Sequence, residues 1–161
     1  MIQNASQANR IVVKVGTSTL AHKTGLMNIQ RMEKLVKVLA DLKNSGREII
    51  LVSSGAIGIG VGKMGLPQKP VETPAKQACA AIGQCELMYC YDKYFSEYNH
   101  SVAQVLLTRD ILDSPERKQN VVNTFQNLLH YGAIPVVNEN DTVAVEEIVF
   151  GDNDTLSAIV G

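Results

Sequence analysis

Tryptophan is absent, and the aromatic side chains amount to three phenylalanines and five tyrosines in 161 residues. That leaves too few flat rings for a platform on which nucleic-acid bases could stack. Charge of one sign is also missing. The 15 basic and 16 acidic residues are interspersed and give a formal net charge of −1. Such a balance excludes the electrostatic footprint of a nucleic-acid or anionic-membrane binder. No apolar run reaches membrane-spanning length, and the polar opening MIQNASQANR is not the pattern of a signal peptide. The three cysteines, Cys79, Cys85 and Cys90, are odd in number, lack CxxC spacing and have no histidine near them. They read as reduced packing residues of a cytosolic protein, not as a disulfide framework or a zinc site.

The length suits one domain with a respectable core, and a 45% apolar, 19% charged composition is that of a soluble globular chain. Residues 1–9 are expected to be a flexible lead-in. Arg10–Val15 (RIVVKV) reads as a strand buried on both faces, as in a parallel sheet. Asn28–Ser45 reads as a helix with Asn28 as N-cap and Gly46 as its stop. Ile29, Met32, Leu35, Val36, Leu39 and Leu42 form its apolar face. Glu48–Val52 is a second buried strand, so the three elements predict a right-handed crossover unit. Residues 66–74 form a proline-containing loop. Residues 75–98 give a long helical pattern in which Gly83 marks either close packing or a break. Its small residues and tyrosines serve core packing or, less simply, a second subunit. Ser101–Leu107 and Ile134–Val137 are the third and fourth strands. Between them Ser114 and Pro115 open a helix whose apolar face is Val121, Val122, Phe125, Leu128 and Leu129, ending near Gly132. Residues 143–150 suggest a hairpin, although Glu146-Glu147 makes a poor tight turn. The alternation predicts an α/β fold with a mostly parallel central sheet and helices on both faces. Ligands of such sheets bind beyond the carboxyl ends of the strands.

Polar residues collect at those ends. Lys14 closes the first strand and is followed by Gly16-Thr17-Ser18. It either snorkels from an edge or meets an anion. The turn favours the anion, because it offers backbone N–H groups and hydroxyls that can cradle phosphate. Ser53-Ser54-Gly55 ends the second strand, as a close-approach turn for a ligand or as a helix N-cap. The later Gly60-Val61-Gly62-Lys63-Met64-Gly65 matches GxGxxG. It begins eight residues too late for a dinucleotide fingerprint, and Met64 and Ile57 spoil the P-loop reading. Two acid-amide clusters follow: Asn138-Glu139-Asn140-Asp141 after the fourth strand, and Gly151-Asp152-Asn153-Asp154 before a helix start. Singly, each reads as a turn or an N-cap. Together they suit a small ligand that carries both an ammonium and a carboxylate, set beside a cation.

The stretches VVKVGTSTL (12–20), VSSGAIGIG (52–60), QACAAIGQ (77–84), VNENDTV (137–143) and GDNDTLSA (151–158) resemble, in order, the glutamate 5-kinase family of the amino acid kinase superfamily. The resemblance covers nearly all of residues 10–161. It implies a three-layer sandwich and transfer of the γ-phosphoryl group of ATP to the side-chain carboxylate of L-glutamate, the first step of proline biosynthesis. By analogy Lys14, Gly16 and Thr17 meet the phosphates, and Asp154 orients Lys14 and a second catalytic lysine. Ser54, Asn138, Asp141 and Asn153 hold glutamate, with Asp141 on its ammonium. Mg²⁺ is implied on the nucleotide phosphates, with no metal ligands in this chain. The resemblance also implies a cytoplasmic homo-oligomer, feedback inhibition by proline, and no nucleic-acid or membrane partner. It implies, further, a nucleotide-binding half bearing the second lysine. This chain stops at Gly161 inside the helix that GDND opens, so it reads as the amino-acid-binding part and is expected to show little or no kinase activity alone. Two alternatives stand beside it. One is a kinase for acetylglutamate or aspartate; the other is a non-catalytic module that binds glutamate or proline.

Overall fold

A computed structural model describes residues 8–143. The second acid-amide cluster, with Asn153 and Asp154, lies outside the described residues, as do nearly all of the suggested 143–150 hairpin and residues 1–7 of the expected lead-in. Four strands, β1 (Arg10–Val15), β2 (Glu48–Ser53), β3 (Val102–Leu107) and β4 (Ile134–Glu139), pair in the order β1-β2-β4-β3. Every pairing is parallel. The helices are α1 (Thr17–Leu20), α2 (Ile29–Asn44), α3 (Ala56–Lys63), α4 (Thr73–Ser96) and α5 (Pro115–His130), with a 3-10 turn at Arg109–Asp113.

Local chemistry sets the boundaries. The Asn28 side chain accepts a hydrogen bond from the Arg31 N–H at the start of α2, and Gly46 beyond its end takes φ +93°. Ser114 caps α5 by accepting from the Arg117 N–H, with Pro115 in the first turn where no donor is lost, and Gly132 follows at φ +75°. β2 is central, and Ile49, Ile50, Leu51 and Val52 are all fully buried. Each such side chain contributes about 1.5–3 kcal/mol relative to exposure.

Helices cover both faces of the sheet. On one side Met32, Val36 and Leu39 of α2 and Leu87, Tyr91 and Phe95 of α4 pack with Val15, Ile49, Leu51, Ile134 and Val136. On the other, Phe125 of α5 packs with Ile50, Val52, Val105, Leu107 and Val137. The three-layer expectation holds, and of the tyrosines on α4, Tyr91 and Tyr94 pack in the core while Tyr89 is exposed. Cys79 and Cys90 are buried packing residues, whereas Cys85 is exposed; all three are free thiols.

Four readings need correction. β1 is not buried on both faces. It is an edge strand, and only Val15 is fully buried. Ile29 does not belong to the apolar face of α2, being 56% exposed in the helix's first turn. The fourth strand does not stop at Val137 but runs on through Asn138 and Glu139. Residues 17–20 and 56–63, read as turn and glycine run, are helical.

The glycines of α3 allow close backbone approach. A Cβ on Gly60 would collide with the Cys79 carbonyl, and one on Gly83 with the Ala56 carbonyl. Gly83 is therefore a close-packing residue inside an unbroken α4. The exposed faces of the two helices are tied by an ion pair between Lys63 and Glu86. Replacing either Gly60 or Gly83 by alanine is expected to cost about 1–3 kcal/mol in urea unfolding. Gly16→Ala, where nothing lies within 4 Å of the added Cβ, is expected to stay within about 0.5 kcal/mol of the parent.

Candidate active site

Parallel pairing puts the carboxyl ends of all the strands on one rim. Cross-strand partners run Lys14–Val52–Val137–Val105 across the sheet. Lys14 is thus level with the residue before Asn138 and about two strand spacings, roughly 10 Å, from it. The next row pairs Val15 with Ser53, and Asn138 with Leu106. Side chains alternate across a strand. The lysine's row therefore belongs to the α5 side, where Val52, Val105 and Val137 pack, and Ser53 and Asn138 belong to the α4 side. Lys14 and the amide cluster share a rim but approach it from opposite faces. Lys14 itself is exposed on the edge strand.

Two turns dock against each other on this rim. Gly16 is extended and opens α1, leaving the first helical N–H groups of Thr17 and Ser18 without intrahelical acceptors. The Ser54 N–H donates to the Val15 carbonyl over 3.0 Å. Gly55 follows with φ +101°, a conformation suited to glycine, and a Cβ there would meet Thr17 Oγ1 at 3.0 Å. Gly55 is itself the N-cap of α3, so neither serine occupies the cap position. The Ser53-Ser54-Gly55 stretch is thus a helix start capped by Gly55, and Gly16, Thr17 and Ser54 are brought together on the rim.

Behind this rim α4 holds Ser53 and Asn138 in place. Buried Ser53 Oγ shares a 3.0 Å hydrogen bond with buried Tyr91 Oη. Burial pushes the ionisation of that phenol far up, so it remains neutral. Asn138, 3% exposed, donates through Nδ2 to Gln84 Oε1 at 2.9 Å and accepts the Glu139 N–H at Oδ1. Gln84 thus takes one amide hydrogen of Asn138. Asn140 makes the turn: its N–H donates to the Leu107 carbonyl, and its side chain accepts from Thr142 Oγ1. The first cluster therefore divides into a strand-end residue, Asn138, and a turn, with the half-buried Asp141 following Asn140. Burial pushes the Asp141 carboxyl above the usual carboxylate range, and the charge of Lys69 pulls partly against that.

Gln84, Tyr91 and Lys69 were not among the residues expected at the site. Gln84 had a signal, being a polar residue in a run of small ones (ACAAIGQ) on the face of α4 that meets the sheet. Tyr91 and Lys69 had none without coordinates. Asn153 and Asp154 lie outside the described residues, so the described part of the site is Lys14, Gly16, Thr17, Ser54, Asn138 and Asp141.

Residues 9–161 match the model of the amino acid kinase family. This chain belongs to that family. It is 58% identical over 157 residues to the glutamate 5-kinase of Clostridium perfringens (strain 13 / Type A), covering 95% of this chain and 58% of that protein. It is 59% identical over 155 residues to the glutamate 5-kinase of Moorella thermoacetica, covering 96% and 41%. With the glutamate 5-kinase of Listeria innocua the figures are 54% over 164 residues, 99% and 59%. The chain thus spans between about two fifths and three fifths of the length of these curated relatives. Among solved structures, a product complex of T. acidophilum isopentenyl phosphate kinase superposes with a TM-score of 0.52 at 16% identity. That superposition covers 78% of this chain and 53% of that one and supports the amino acid kinase fold.

Two outcomes follow from the geometry. Tyr91→Phe removes the partner of the buried Ser53 hydroxyl and is expected to cost about 1–3 kcal/mol in chemical unfolding. For Asp141, whose folded pKa is raised, the folded chain binds more protons than the unfolded one. Its contribution therefore lowers stability as pH rises from the ordinary carboxylate pKa through the raised value. Asp141→Asn should flatten that part of the curve and leave the ligand-free chain at least as stable at neutral pH, as measured by urea unfolding across the acidic range.

Proposed function

We propose that this chain is the amino-acid-substrate part, over residues 1–161, of an enzyme that phosphorylates L-glutamate at its side-chain carboxylate. ATP would be the donor, L-glutamyl 5-phosphate the product, and the step the first of proline biosynthesis. The observation that carries the reading is the docking of the Gly16-Thr17 turn onto the Ser54-Gly55 turn, on the rim that also holds Asn138. In this reading the turn takes the phosphate and the amide cluster takes the amino acid, on one rim of the sheet. The names of the relatives, at 54–59% identity, support the same substrate.

In this reading the carboxylate that attacks is already ionised at neutral pH, so no general base is needed. The work is positioning and charge neutralisation. Backbone N–H groups at Gly16 and Thr17 receive phosphate oxygens, and the open space at the Gly16 Cα lets them come close. Lys14 reaches over the rim to the migrating phosphoryl group, and Asp154 orients it. Ser54, Asn138 and Asn153 hold the carboxylates, and Asp141 takes the ammonium. Mg²⁺ would be carried on the nucleotide phosphates. No described helix is long and apolar enough to cross a membrane. We place the enzyme in the cytoplasm as a homo-oligomer, with proline as a feedback inhibitor competing at the amino-acid site.

Hydroxylamine trapping of the acyl phosphate tests the reading in a protein that carries this chain together with a nucleotide-binding half. L-Glutamate, N-acetylglutamate and L-aspartate are supplied in turn. Hydroxamate from L-glutamate is expected, with Asp141→Asn raising its KM by about tenfold or more. Hydroxamate formed only from N-acetylglutamate or L-aspartate overturns the substrate.

A further inference from the structure

We propose that Gln84 of α4 is a positioning residue for the amino acid substrate, acting through Asn138. The inference deepens the function proposed above and rests on it. Gln84 Oε1 accepts a 2.9 Å hydrogen bond from Asn138 Nδ2 across 54 positions of sequence. At the other end of the same amide, Asn138 Oδ1 accepts from the Glu139 N–H, also over 2.9 Å. A backbone N–H can only donate, so it fixes the oxygen end of the amide. The nitrogen end then falls to α4, and Gln84 meets it with an oxygen. Turned by half a revolution, the amide would set its NH2 against the Glu139 N–H and its oxygen against the Gln84 oxygen. Both contacts are lost in that arrangement.

The rest of Asn138 is fixed by other means, which leaves this torsion as the freedom that Gln84 controls. In the β3–β4 ladder Asn138 is paired with Leu106, and Glu139 with Leu107. Beyond the strand the Asn140 N–H still donates to the Leu107 carbonyl over 2.8 Å. Asn138 is 3% exposed, so packing limits its first torsion, whereas the terminal amide torsion of an asparagine is intrinsically broad. Which edge of the amide a carboxylate meets depends on that last torsion. The nitrogen edge donates to a carboxylate, and the oxygen edge repels it.

Gln84 is itself well anchored. Gly83 before it packs on the Ala56 carbonyl with no room for a Cβ, and Leu87, about one turn further on, is buried in the core. The helix therefore presents the Gln84 side chain from a fixed backbone. The assignment separates the two substrates. Gln84 acts on the amide that holds the amino acid, and the Gly16-Thr17 turn that takes the phosphates is left as it is.

Kinetics in the protein used for hydroxylamine trapping test the assignment. Gln84→Met keeps the length of the side chain and removes the acceptor. It is expected to raise the KM for L-glutamate by about tenfold and to leave kcat and the KM for ATP within about twofold. Gln84→Asn draws the oxygen back by one methylene. It is expected to raise the same KM, and it replaces the methionine variant if that one fails to fold. In an Asn138→Ala background Gln84→Met should add nothing further, because the residue through which it acts is gone. An unchanged KM for L-glutamate in the folded variant overturns the proposal. So does an equal rise in the KM for ATP, or a full additional loss in the Asn138→Ala background. A wild type that forms hydroxamate only from N-acetylglutamate or L-aspartate overturns the glutamate reading alone. The KM for that amino acid then decides on Gln84 by the same outcomes. No hydroxamate from any of the three overturns both. In the 161-residue chain without ligand, hydrogen exchange at the Asn138 side-chain amide, followed by NMR, is expected to quicken by about tenfold in Gln84→Met. An unchanged rate means that Gln84 does not hold the amide and overturns the proposal whatever the substrate is.

Discussion

The backbone-to-backbone approach of α3 and α4 through Gly60 and Gly83 sets the position of almost everything else at the rim. Because no Cβ separates them, α4 lies close over the α3 side of the sheet. Gln84 follows Gly83 directly, and Tyr91 lies about two turns further along the same helix. From there Gln84 reaches Asn138, and Tyr91 reaches Ser53. A wider separation would leave a buried amide and a buried hydroxyl unpaired, each costing on the order of 1–3 kcal/mol. The glycines of the 55–65 run thus serve helix packing and turn geometry.

The site divides into parts of different character. Ser53 and Asn138 are buried, hydrogen-bonded and held by a long helix, which gives them fixed geometry. Lys14, Thr17 and Lys69 are exposed and come from an edge strand, a one-turn helix and a loop. Asp141 lies between the two, half-buried, in surroundings that disfavour the charged carboxylate.

Much of the fold was legible because its signals are local. Asn28, Gly46, Ser114, Pro115 and Gly132 punctuate helices by capping chemistry that acts within a few residues, and the structure has them in those roles. The apolar strands were legible for the same reason. Strand order was not, and with it went the exposure of β1, since only pairing tells an edge from a centre. The helix at 56–63 was hidden by three glycines at positions 58, 60 and 62, residues of poor helix propensity whose presence is explained only by the neighbour they touch. At the site, Ser54, Asn138 and Asp141 could be picked out as polar residues following buried strands. Gln84, Tyr91 and Lys69 act across 54, 38 and 72 positions of sequence, and no local pattern carries such a pairing.

The ladder between β2 and β4 has a consequence for how such a site is inherited. Leu51 faces Val136, and Val52 faces Val137. Sliding β4 by a single position would exchange inward and outward side chains along the whole strand. Asn138 would then be delivered to the α5 layer, and a valine would sit where Gln84 waits for an amide. An insertion or deletion inside either strand would carry Asn138 away from Gln84 while leaving the hydrophobic composition intact.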